Sequence, residues 1–145
     1  MIRPIEFFVA GEPKGQPRPR AAFHNGRARV YDPGTAENWK SQIALAAKPL
    51  VPDQPLDVPI KLKVDFYMPR PKAHFGKSGL KYGSPVRHTK KPDLDNLEKA
   101  VMDALTEVGI WRDDSLVCVK STRKHYTDTQ TPGANIIIEE CCDHF

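Results

Sequence analysis

The segment DLDNLEKAVMDALTEVG, residues 93–109, decides how the rest of the chain is read. Its apolar residues Leu94, Leu97, Val101, Ala104, Leu105 and Val108 recur at steps of three and four, which on a 3.6-residue period forms one stripe. A helix over 93–108 follows, with Asp93 after Pro92 as its N-cap and Gly109 as its stop. A helix striped on one side needs an apolar surface to lie on. The run IKLKVDFYM, residues 60–68, supplies one. Ile60, Leu62, Val64, Phe66 and Met68 alternate with Lys61, Lys63, Asp65 and Tyr67, the period of a half-buried strand.

Working outward, Ile5 to Val9 reads as an opening strand, and the stretch 11–20 as an extended, basic connection. Ala21 to Tyr31 reads as a hairpin turning at Asn25-Gly26, a dipeptide that tolerates positive φ. Thr35 to Lys48 reads as a second helix. Thr35 caps it, Trp39, Ile43 and Ala46 or Ala47 share a face, and Pro49 follows its end. The stretch 52–59 is a linker-like loop. Leu116 to His125 and Ala134 to Glu140 read as two strands joined by a turn at Thr131-Pro132-Gly133. Thirteen of the 14 prolines precede Asp93, which limits helix in the first two-thirds of the chain. The expected fold is α+β: a single domain over 1–145, with one mixed β-sheet, two main helices packed against it and a basic loop at about 69–92.

A length of 145 residues is enough to bury a core, and 39% hydrophobic with 28% charged residues is a globular rather than a disordered balance. No apolar run approaches a membrane span. Three cysteines without a secretory leader point to a reduced, cytoplasmic protein. Cys141, Cys142 and His144 with Cys118 make only a weak zinc pattern, and Cys118 in its apolar run reads as a small core residue.

The net charge of +4 is modest, but its distribution is not. Residues 66–92 contain no Asp or Glu, yet carry Arg70, Lys72, Lys77, Lys81, Arg87, Lys90 and Lys91. Residues 14–29 likewise hold Lys14, Arg18, Arg20, Arg27 and Arg29 without an acid. One positive face, suited to a nucleic-acid backbone, is expected. For 69–92 two readings compete: a solvated excursion, or a segment that orders on DNA phosphates.

Beside this basic surface stand acids. Asp93 and Asp95 open the 93–108 helix, Lys99 follows one turn in, and Asp113-Asp114 come after the helix ends. Oxygen-rich side chains gathered together suit a hard divalent cation. The same residues have a plainer reading, because Asp-Leu-Asp-Asn is ordinary helix-start chemistry and Asp-Asp an ordinary loop pair. Lys99 lies four residues after Asp95, the spacing of a helix-face ion pair and equally of a phosphate contact. Asn96 at N3 reads as part of the cap network, with a direct ligand role as the alternative.

The blocks KPDLDNLEKAVMDAL (91–105) and GIWRDDSLV (109–117), with GEPKGQPRPR (11–20), resemble the RusA-type Holliday-junction resolvases of bacteria and their phages. The resemblance implies a metal-dependent endodeoxyribonuclease with catalytic, Mg²⁺-binding carboxylates at Asp93, Asp95 and Asp114, Mn²⁺ serving as a substitute, and an essential lysine at Lys99. It implies a homodimer that nicks opposed strands of a four-way junction; no membrane partner is expected, from the lack of a membrane-length apolar run. DNA contacts are expected from Lys14, Arg18, Arg20, Arg70, Lys72, Lys77, Lys81, Arg87, Lys90 and Lys91. Where some members carry arginines before the first aspartate, this chain has Lys90-Lys91-Pro92, without bidentate guanidinium geometry. Two other classes fit the residues: a nuclease for flaps or forks, and a non-catalytic nucleic-acid-binding protein.

Overall fold

The computed structural model describes residues 2–17, 36–128 and 131–141, together with the backbone of 20–24 and 27–31. Four strands form the main sheet: β1 (Ile5–Ala10), β4 (Ile60–Met68), β7 (Val117–Tyr126) and β8 (Gly133–Glu140), in the order β1-β8-β4-β7. β8 runs antiparallel to both neighbours, whereas β4 and β7 are parallel. The sheet is therefore mixed, as expected, and two helices, α1 (Glu37–Ala47) and α2 (Leu94–Val108), complete an α+β architecture.

The alternation read in residues 60–68 is realised residue for residue. Ile60, Leu62, Val64, Phe66 and Met68 are buried, and their neighbours are half-exposed. Register with β8 places Ala134, Ile136 and Ile138 on the same face, and these too are buried. Trp39, Ile43 and Ala47 of α1 and Leu97, Val101, Ala104 and Leu105 of α2 close over them. Each large aliphatic side chain buried here contributes about 1.5–3 kcal/mol relative to exposure. Lys40 on α1 reaches Glu107 on α2 at 3.9 Å, which ties the two helices at their rim.

Two short antiparallel pairs lie outside the main sheet: β2 (Arg20–His24) with β3 (Arg27–Tyr31), and β5 (Phe75–Gly76) with β6 (Gly79–Leu80). The first is the expected hairpin; its turn Asn25-Gly26 and the expected cap Thr35 lie outside the described residues. The second has no counterpart among the elements expected from sequence. It gives part of 69–92 regular structure. The Arg70 side chain, 3% exposed, donates from Nε to Thr127 O at 2.9 Å and from NH1 to Pro85 O at 2.7 Å. Its guanidinium lies 5.2 Å from the centre of the Tyr126 ring. This arginine staples both ends of the segment to the end of β7.

One expectation is corrected. Cys118 is exposed rather than part of the core. The pairing of β4 with β7 shifts register between Ile60 and Lys61, so Val117 and Val119 meet successive β4 residues and Cys118 falls in the irregularity. Its thiol lies 3.6 Å from the carbonyl of Ile60.

Parallel neighbours cannot be joined by a tight turn. The connection between β4 and β7 consequently carries the loop 69–92, α2 and the acidic pair Asp113-Asp114. Both acid-bearing blocks of the sequence lie within this one crossover.

Candidate functional site

The mouth of α2 is built by local chemistry. Asp93 occupies the N-cap with extended backbone (φ −66°, ψ 149°), and its carbonyl accepts from Leu97 N at 3.1 Å. Its side chain makes no capping hydrogen bond. The carboxylate, assigned by plain helix-start chemistry to the cap, is thus not consumed by it. The first arm of the chain docks here. Gln16 N donates to Asn96 O at 2.9 Å. A Cβ on Gly15 would lie 3.0 Å from that of Asn96 and 3.1 Å from that of Pro92, so glycine permits the close approach. The exposed Lys14, at 3.4 Å from Glu12, is thereby brought near the helix start.

The second acidic block is held by a buried anchor. Trp111, 1% exposed, donates from its indole nitrogen to Thr106 Oγ1 at 2.7 Å. Leu56 brackets it with backbone hydrogen bonds to Ile110 and Arg112, both 2.9 Å, and Arg112 reaches Asp57 at 3.1 Å. The linker-like loop 52–59 therefore fixes where Asp113 and Asp114 begin. Asp113 has extended backbone, and a 3-10 turn over Asp114–Leu116 follows. The Ser115 hydroxyl donates to Asp113 Oδ2 at 2.7 Å, which holds that carboxyl below its ordinary range. Asp114 instead faces α2.

Between α2 and β7 runs a cleft of about 310 Å³ lined by Asp95, Glu98, Lys99, Met102, Asp103, Asp114 and Lys120. It gathers three of the expected residues, Asp95, Lys99 and Asp114. Asp93 is not in its lining. Helix rise separates Asp95 from Asp103 by about 12 Å, so the cleft is elongated, with carboxylates along its length. Among the described residues no three His, Cys, Asp or Glu side chains stand close enough to form a metal cage. Mg²⁺ does not ask for one, because it is commonly held by one or two carboxylates with the remaining positions filled by water and substrate phosphate. The exposed carboxylate oxygens of Asp95 and Asp114 fit that requirement.

Sequence reasoning missed four residues. Glu98, 9% exposed, accepts from Lys120 Nζ at 2.9 Å and from the hydroxyl of Thr122. Lys120, Thr122 and Lys124 alternate along β7 on the side that faces α2. Lys124 Nζ donates to Lys90 O at 2.8 Å and Pro92 O at 2.9 Å. Partial burial lowers its pKa, and the negative charge of Asp93 pulls it partly back. The signal was present: Glu98 lies three residues after Asp95 in the helix, and Lys120, Thr122 and Lys124 follow the period-two rule of a strand.

The basic residues divide. Lys72, Lys77, Lys81, Lys90 and Lys91 are exposed. Arg87, also exposed, lies 2.7 Å from His125 Nδ1, whose other ring nitrogen is 2.9 Å from Asp65. Arg70 is buried in its role as a staple. Arg20 begins β2, and Arg18 lies outside the described residues.

Comparison with known proteins gives the family. The endodeoxyribonuclease RusA family matches residues 10–139. A protein of Bacillus subtilis (strain 168), the uncharacterized protein YqaN, is 34% identical over 139 residues, covering 94% of this chain and 96% of that protein. The crossover junction endodeoxyribonuclease RusA of Escherichia coli (strain K12) is 27% identical over 95 residues, 66% of this chain. The protein of the same name from Enterobacteria phage 82 is equally similar. The chain spans 64% of the length of these two nucleases. The family match runs from the end of β1 into β8 and takes in the whole β4–α2–β7 crossover with both acidic blocks; the chain belongs to the RusA endodeoxyribonuclease family.

Proposed function

We propose that this chain is a divalent-metal-dependent endodeoxyribonuclease that resolves four-way DNA junctions by paired, symmetric nicks. The observation that carries the reading is the cleft in which Asp95, Lys99 and Asp114 meet along one flank of α2. Asp95 and Asp114 would hold Mg²⁺ (or Mn²⁺), with Asp93 at the helix mouth as the third carboxylate. When bound, such an ion polarises the scissile phosphate and activates water for attack. Lys99 and Lys120 offer ammonium groups to the non-bridging phosphate oxygens, where negative charge grows during displacement. Glu98 orients Lys120 through their ion pair. Lys124, held by two carbonyls beside Asp93, keeps the loop end 90–92 against β7.

The core draws on residues from Val9 to Ile138, which supports a single endonuclease domain. A four-way junction has two strands to cut, and a two-fold pair of chains would bring two sites to it. Among the described residues no helix is long and apolar enough to cross a membrane, and the relatives are bacterial and phage proteins. The origin of those relatives supports action on cytoplasmic DNA.

The test is cleavage of a mobile four-way junction beside flap, fork and linear duplex in Mg²⁺, with the nicks mapped. Paired nicks at symmetric positions in the junction, lost in EDTA, are expected. Cleavage of flaps or forks alone, or of nothing, rejects the proposal.

The phosphate-contacting surface has its own test. Replacing Lys77, Lys81 and Lys91 together by Gln is expected to weaken binding to every DNA form. It also flattens log K against log salt by about 0.9 for each duplex phosphate that these lysines no longer neutralise. The same change at Lys61 and Lys63, on the outer face of β4, is the control. An unchanged slope in the loop variant moves the DNA surface to the arm that begins at Lys14. Stability changes by less than about 0.5 kcal/mol in the loop variant, because these side chains are exposed.

A further inference from the structure

The segment 69–92 carries more than charge. Phe75, Leu80, Tyr82 and Val86 are large apolar side chains left exposed, in a stretch without a single acid. Phe75 and Leu80 are direct partners across the β5–β6 pair. Tyr82 follows at the second position of a turn closed by Ser84 N to Lys81 O at 3.2 Å. Gly83, at the third position, has φ 81°, the positive value a type II turn requires there. Tyr82 is fully exposed at this tip.

The tip is braced. Lys81 N donates to His74 O at 2.9 Å and the Ser84 hydroxyl to the same carbonyl at 3.1 Å. Arg70 then fastens Pro85 to the end of β7. From there the chain runs back along β7 toward α2. Tyr126 N donates to Val86 O at 2.8 Å, and Lys124 holds the carbonyls of Lys90 and Pro92. An exposed ring on a fixed turn is thus linked through ordered backbone to the mouth of the cleft.

Exposed rings interleaved with lysines are what stacks on a nucleobase while the neighbouring ammonium groups meet its phosphates. A second copy of this chain is a poor occupant. A two-fold contact through this tip would set Lys77 and Lys81 against their own counterparts. A continuous duplex is equally poor, since its base faces are already stacked on one another. A base at a branch point has a face to offer.

We propose that Tyr82, beside the Phe75–Leu80 pair, is a stacking site for a nucleobase exposed at the branch point of DNA. The contact selects which phosphate enters the cleft. The inference rests on the nuclease reading above and adds the element that distinguishes branched from linear DNA.

Binding is measured in EDTA, so that nothing is cut. The DNAs are a four-way junction with 2-aminopurine beside the branch point and a linear duplex of the same sequence. Wild type and Tyr82→Phe are expected to change the 2-aminopurine fluorescence alike. Tyr82→Ala is expected to abolish that change and bind the junction roughly 5- to 150-fold more weakly, with duplex affinity and Tm unaltered. Unchanged junction affinity, or an equal loss on both DNAs, overturns the proposal. So does a variant whose only change is a lower association state in sedimentation. Wild-type cleavage in Mg²⁺ is scored separately. A protein that stacks but never cuts refutes the nuclease reading alone, and one that cuts while Tyr82→Ala binds normally refutes the stacking site alone.

Discussion

Asp95→Asn is expected to lower junction cleavage by more than about a hundredfold and to leave junction binding intact or tighter. Asp95 lies in the first turn of α2, exposed, with its carboxylate on the cleft. Asparagine keeps the volume and the helix, but removes the negative charge a hard cation selects. Loss of a partner that merely supports a ligand typically costs 10- to 100-fold, so loss of the ligand itself should exceed that range. Binding moves the other way because the phosphates lose one repelling charge. Junction affinity in EDTA and single-turnover cleavage in Mg²⁺, on the same preparation, separate the two effects. Cleavage close to the wild-type rate would remove Asp95 from the site.

A matched pair of variants gives the second large effect. Asp114→Asn should abolish cleavage to a similar degree, whereas Asp113→Asn should retain most of it. The two acids are adjacent in sequence and identical in chemistry. They differ because Asp114 begins a 3-10 turn that turns its side chain toward α2, while Asp113 is occupied by the Ser115 hydroxyl. The contrast therefore reads backbone geometry rather than charge. A reversed outcome would mean that the carboxylate facing the cleft is Asp113.

Both variants change residues that the amino-acid sequence alone makes legible, and the reason is local. The α2 stripe, its cap and its stop are encoded within seventeen consecutive residues, 93–109, and the alternation of 60–68 within nine. Periodicity depends only on the backbone repeat of each element, so helix α2, strand β4 and the opposing pair β1 and β8 all fall within a residue or two of their expected bounds. The candidate acids come with them, because they mark the ends of those elements.

What resists reading is what depends on distant partners. Arg70 looks like any other cation in a basic loop, yet its acceptor at Thr127 lies 57 residues away, and that hydrogen bond turns it into a staple. Cys118 sits in an apolar run, but a shift in the β4–β7 register puts it outside. Glu98 gains its role only where β7 brings Lys120 and Thr122 against it.

The sequence by itself determined the two helices, the strands of the main sheet, their order, the α+β class and the candidate acids, since each follows from spacing along a few turns of chain. Only the tertiary structure decided which acids share a cleft. Asp95 and Asp114 meet because β7 pairs in parallel with β4 and lays its inner face along α2, and Asp93 stays at the helix mouth beside Lys124. Register between strands is a long-range property, chosen by the packing of whole faces, and no local period carries it.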